Sequence, residues 1–320
     1  MRLAPLAVAL AACTPIENEL RYTSTLQAET SGVALSDDGL DGHAAMSGTT
    51  CTIDVNWGCP VADMDLPTPH EFVVDHHGGD TLGASDEGAH TIGADGSYEP
   101  SLDIPAQGIH TGRIWAGGTV LLGGGADSCW IQYGTDAPIE VPSEACADDA
   151  DFAVDRADGT MFVAGGGAVV AAGVDGVREL ATGADRVAWD AAGRQLLVAT
   201  AGDRSLSALD RDGAARWTVE VDGTINQVAA RGSRGEIVLW VEREDGFGSI
   251  ERRDGQGNLL ARSEVPGADG ELIVSENGVR LALVRDDEVN FFALETDGDE
   301  PVRDTTPPVC IDPEIRVTRD

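Results

Sequence analysis

All six histidines of this chain fall between positions 43 and 110: His43, His70, His76, His77, His90 and His110. Imidazoles grouped with carboxylates are the raw material of a metal centre, and Asp75 and Asp80 lie on either side of the His76-His77 pair. A metal held by Asp75, His76, His77 and Asp80 is therefore one expectation. The preferred one is exposed turn histidines, with His76 and His77 in a turn between first and second strands and His90 on a third strand, because no ligand spacing of a recognised site runs through them. That reading calls for no metal and no cofactor. Acidic turns at 155–159, 210–213 and 297–300 offer oxygen ligands, but none carries the ladder ending in a distant Glu that a calcium loop needs. Asp-Gly is first of all a hairpin turn, with glycine taking the positive φ. Covalent chemistry has no signature here. GxSxG, HExxH and Walker A patterns are absent, and Gly165-Gly166-Gly167 lacks the third glycine of a dinucleotide fingerprint.

The elements that must position any such site follow from a loose repeat of about 40 residues. Its clearest copy runs from Val187 to Asp190, Gln195 to Thr200, Ser205 to Asp210 and Arg216 to Val221, four short runs joined by three tight turns. Comparable units start near 32, 70, 109, 149, 185, 224 and 269. The second run of each is strongly apolar, as in Ile237 to Trp240, which marks strands covered on both faces. No window from Gly32 to Leu294 sustains a helical apolar pattern without a Gly or Asp-Gly break. A four-stranded sheet this small cannot exclude water alone, and stacking such sheets around an axis supplies the missing core. The expected fold is all-β, a β-propeller of about seven four-stranded blades over residues 29–310, rather than a β-sandwich with hairpin arms. Leu20 to Gln27 alternate well enough to pair with the last blade and close the ring, and 311–320 read as a tail.

The segment from Ala208-Leu209-Asp210 through Gly213 to Trp217 resembles the docking signature of quinoprotein-like repeats, which are related in form to WD40 repeats. In those repeats the turn and the tryptophan staple one blade to the next. Families built from them include alcohol dehydrogenases using pyrroloquinoline quinone and a lipoprotein of the outer-membrane assembly machinery. The first residues point the same way. Arg2 and the apolar run from Leu3 to Leu10 have the grammar of a secretory signal, too short to span a bilayer. Leu10-Ala11-Ala12-Cys13 resembles a bacterial lipobox, which implies removal of residues 1–12 and a lipid on Cys13. Attachment to the membrane would then be by lipid alone, with residues 13–28 as linker and closing strand. Thr14 after the cysteine implies, by the enteric sorting rule, an outer-membrane lipoprotein of the cell envelope.

Export makes disulfides the first reading of the other cysteines. Cys51 with Cys59 and Cys129 with Cys146 each enclose a turn-like midpoint, as cross-strand partners would, and Cys310 is left over. Charge narrows the partners. With 56 acidic residues against 21 basic ones, all of the latter Arg, the net charge of -35 repels phosphate backbones and excludes nucleic acid. The acidity reads first as a solvated shell. The sharper reading is a face for cations or basic proteins, since no Arg lies between Tyr22 and Gly112. The functional expectation is a non-enzymatic scaffold presenting one propeller face to a protein or glycan partner. Its alternative is a propeller enzyme, either a quinone-dependent dehydrogenase or a lactonase-type hydrolase.

Overall fold

A computed structural model describes residues 20–294 except 27–29, 47–48, 56–58, 65–71, 86–87, 94–97, 100–107, 126–127, 144–149, 174–175, 232–234, 268 and 286–287. The described chain forms seven antiparallel four-stranded sheets, the blades of a β-propeller. Blade 1 holds β2 (Thr30–Leu35), β3 (Asp41–Met46), β4 (Thr49–Asp54) and β5 (Cys59–Met64). Blade 2 holds β6 (Phe72–His77), β7 (Asp80–Ser85), β8 (Gly88–Ile92) and β9 (Tyr98–Glu99); blade 3 holds β10 (Ile109–Trp115), β11 (Gly118–Gly125), β12 (Ser128–Tyr133) and β13 (Ile139–Val141). Blade 4 holds β14 (Asp151–Val154), β15 (Met161–Gly165), β16 (Ala168–Gly173) and β17 (Gly176–Thr182); blade 5 holds β18 (Arg186–Asp190), β19 (Gln195–Ala199), β20 (Ser205–Leu209) and β21 (Ala215–Glu220). Blade 6 holds β22 (Thr224–Arg231), β23 (Glu236–Glu242), β24 (Gly248–Arg253) and β25 (Leu259–Val265). Blade 7 is composite. Its inner strands β26 (Glu271–Val274), β27 (Arg280–Val284) and β28 (Val289–Leu294) come from the far end of the chain, and its outer strand is β1 (Leu20–Leu26). β1 runs antiparallel to β28, pairing Leu20 with Leu294 and Leu26 with Val289, so the two ends of the described chain share one sheet.

The core lies between blades, not within one. Every residue of β15 and β19 is buried, because a neighbouring sheet covers each face. Val120 and Ile131 of blade 3 meet Met161 and Val163 of blade 4. Phe162 and Val169 meet Trp189 and Leu196 across the next interface, with the Phe162 and Trp189 rings stacked at 5.0 Å. Val33 and Ile53 of blade 1 meet Ala282 and Phe291 of blade 7. Short strands of Val, Ala and Leu suffice for such a core, since each sheet contributes two apolar faces and no single side chain must fill a deep interior.

Polar staples reinforce the stack where the docking signature falls. Trp217 donates its indole N–H to Gln195 Oε1 at 3.2 Å, while Gln195 Nε2 donates to Asp190 Oδ2 and to the Gly255 carbonyl of blade 6, both at 2.9 Å. Gly257, in the turn beside Gly255, has φ +80°, and a Cβ there would lie 2.9 Å from the Trp217 ring. Only glycine permits both the conformation and the approach. On the other side Arg178 of blade 4 donates to Asp212 at 2.8 Å and to the Arg211 carbonyl at 2.7 Å.

The cysteine expectations divide. Cys129 is disulfide-bonded, and Cys146 lies outside the described residues. Cys51 is buried on β4, opposite Asp63, and the side chain of its expected partner Cys59 lies outside the described residues. Cys13 and Cys310 also lie outside the described residues.

Candidate functional site

The first strand of each blade is its innermost, and the seven together enclose an axial channel with a cavity of about 410 Å³. All seven run in the same sense, so one mouth of the channel is ringed by strand starts and the other by strand ends. At the strand-end mouth, Arg156 crosses the opening from the turn after β14. Its NH1 and NH2 donate to the two oxygens of Asp75 in blade 2 at 2.9 and 3.0 Å. NH1 also donates to the Ile114 carbonyl of blade 3, and Nε lies 3.3 Å from Glu276 beyond β26 in blade 7. One guanidinium thus ties four blades together. Burial alone would raise the Asp75 pKa, but Arg156, Arg113 and the Ile114 N–H, which donates at 2.7 Å, more than offset it and hold the carboxyl below its usual range.

The strand-start mouth is differently furnished. Asp151 opens β14 and accepts hydrogen bonds from the Phe152 N–H at 2.8 Å and from the Val187 N–H of blade 5 at 2.9 Å. Gln227 accepts the Leu272 N–H of blade 7 at 2.6 Å in the same inter-blade manner. Burial pushes the Asp151 carboxyl up to about 6, against the pull of its two N–H donors and of Arg186 and Arg113. Glu271 is exposed on the cavity wall, and its pKa is likewise raised by desolvation, with Arg113 opposing. Between these carboxyls the Arg113 guanidinium sits 4.1 Å from the Phe152 ring centroid, a cation–π contact that fixes its place.

The histidines depart from expectation. His76 and His77 end β6, one step short of the Gly78-Gly79 turn; His90 lies on β8, and His43 on β3. His43 and His90 are buried and His76 is half-buried, so these are not exposed turn histidines. The seam between blades 1 and 2 covers them. His43 and His76 stack across that seam with centroids 4.9 Å apart and planes 8° from parallel. His77 faces Asp37 at 3.2 Å, in the turn after β2. His110 is exposed at the start of β10, and His70 lies outside the described residues. The four metal candidates do not converge: Asp75 serves Arg156, His76 stacks on His43, His77 meets Asp37, and Asp80 opens β7. Among the described residues no group of three or more His, Cys, Asp or Glu is placed to hold a metal ion.

No family model and no curated protein matches this chain. Arg156, Arg113, Asp151 and Glu271 carry no local motif; each acts on residues one or more blades away. The only signal available in the sequence was their position at the edges of first strands, where a channel is lined.

The stacked imidazoles set a pH dependence. Burial first, then the neighbouring His76, lowers His43 from 6.5 to about 4, and burial lowers His76 as well. A histidine held neutral in the fold contributes stability above its unfolded pKa and loses it as pH falls toward the folded value. The His43 contribution, about 3 kcal/mol, is present at pH 7 and gone near pH 4. Asp151 acts oppositely: its raised pKa means that stability falls as pH climbs from 3.8 to about 6. The two partly cancel between pH 4 and 6, so the His43 effect is read as a difference. Urea denaturation of wild type and His43→Phe at both pH values should show wild type losing about 3 kcal/mol relative to the variant on acidification. A difference that does not change with pH would refute the assignment.

Proposed function

We propose that this chain is a lipid-anchored binding scaffold of the bacterial cell envelope, whose propeller presents one face to a protein or glycan partner. The observation that carries this reading is the use to which the buried acids and bases are put. Asp75, Asp151, Gln227 and Arg156 spend their hydrogen bonds holding one blade to another, as rigid support demands and as free catalytic groups do not. The anchor reading is supported by the lipobox-like Leu10 to Cys13 and by the secretory grammar before it. The quinoprotein-like kinship is supported by the staple that Trp217 and the Asp210 to Gly213 turn form between blades. One observation favours an enzyme instead: Asp151, titrating near 6 in a recess, has the pKa range of a general base.

Two measurements test the proposal. Cys13→Ala should move the protein from the membrane fraction to the soluble one, and unchanged membrane retention would overturn the anchor. Cross-linking in intact envelopes should return a recurrent partner. Turnover of a sugar lactone or a quinone-linked alcohol oxidation that Asp151→Asn abolishes would overturn the scaffold in favour of the enzyme.

A further inference from the structure

We infer that the open half of the axial channel is a binding site for a short aliphatic amine, its ammonium group seated among Asp151, Glu271 and Gln227. This rests on the fold and on neither the anchor nor the partner face. The cavity, about 410 Å³, is within the size range of small-molecule sites, roughly 300–1,000 Å³. Its strand-end mouth is crossed by Arg156, which reaches Asp75, Ile114 and Glu276, so the inferred entry is from the strand-start side.

The chemistry of the ligand follows from the wall. Four carboxylates line the cavity, Asp75, Asp151, Glu271 and Glu276, against the two guanidiniums of Arg113 and Arg156. The channel is thus short of two positive charges. At the closed end Arg156 already lies against both Asp75 and Glu276. Arg113, held on the Phe152 ring, faces Asp75 first and then Glu271 and Asp151, so one guanidinium is shared among three carboxylates. Glu271 makes no hydrogen bond among the described residues, and Asp151 has used one lone pair on each oxygen for backbone N–H groups, leaving the others for an N⁺–H donor. Apolar walls from Val33, Ala153, Ala188 and Leu272 suit a short methylene chain. A phosphate or carboxylate ligand would meet the wrong sign, and the chain's net charge of -35 draws cations toward the mouth.

Binding should be linked to protons. The desolvated carboxyls resist ionisation, so an incoming cation displaces a proton, and affinity climbs as pH passes the Asp151 value of about 6. His76, which lines the same cavity and whose pKa burial lowers, sheds positive charge as pH rises and acts in the same direction. Asp75 and Glu276 keep their Arg156 partner throughout.

The test is calorimetric and NMR titration of the full chain with 1,4-diaminobutane at low salt, with 1,4-butanediol as its neutral counterpart. We expect saturable binding of the diamine at pH 7.5 that weakens about tenfold or more at pH 5, and no binding of the diol. Glu271→Gln and Asp151→Asn should each weaken binding about tenfold, whereas Glu244→Gln, at an exposed rim carboxylate, should not. Glu271→Gln disturbs no hydrogen bond among the described residues, so it decides the matter even where Asp151→Asn fails to fold. Equal binding of diol and diamine, absence of saturable binding, or wild-type affinity in Glu271→Gln would each overturn the inference.

Discussion

Removal of residues 1–28 is expected to abolish cooperative unfolding of the protein. The deletion takes β1 away from β28, leaving Phe291 and Phe292, now buried, beside an open strand edge. Six register pairs join the two strands. At about 1 kcal/mol net for each ladder hydrogen bond, together with the lost burial of Leu26, the cost approaches the whole stability of an ordinary domain, about 5–15 kcal/mol. Circular dichroism melting should show a broad, early transition, with aggregation of the exposed edge. A synthetic peptide covering residues 18–28, added in excess, should restore the sharp transition by docking as a separate strand. A truncated chain that melts as sharply and as high as the full one would show that closure lies elsewhere.

The second large effect concerns the strut across the channel. Arg156→Met should destabilise the fold by about 3–5 kcal/mol, because it leaves the Asp75 carboxylate buried with its charge uncompensated. The companion Asp75→Asn/Arg156→Met double variant should recover most of that loss, since it removes both charges and keeps an acceptor for the Ile114 N–H. Urea denaturation of the single and double variants, compared as a cycle, measures the coupling. If both variants lose the same amount, Arg156 contributes through packing and not through Asp75. A further sign is pH: loss of Arg156 lets burial dominate, so the Asp75 pKa rises and the single variant regains stability in acid.

The repeat was legible because its physics is local. Continuous apolar second strands such as Ile237 to Trp240 record a sheet covered on both faces, and Asp-Gly turns record hairpins. Even the closing strand shows as a short alternating run at Leu20 to Leu26, since pairing with an edge requires nothing more. The misread features depend on distance. The histidines look like turn residues beside Gly78 and Gly79, but they are covered by the adjoining blade, a fact that only the packed ring contains. Arg156 meets Asp75 from 81 positions away, two blades along, with nothing in either neighbourhood to foretell it.

The direction of β1 has an architectural outcome. Leu20, its first residue, sits level with Leu294, and through the ladder of blade 7 with the Val274 end of β26, on the side where Arg156 reaches Glu276. A lipid on Cys13, as proposed, would be leashed to Leu20 by seven peptide steps, at most about 25 Å even when fully stretched. So short a leash would hold the Arg156 side toward the bilayer and turn the strand-start mouth outward, into the space that soluble molecules cross. Orientation at the membrane would then be inherited from the polarity of one strand.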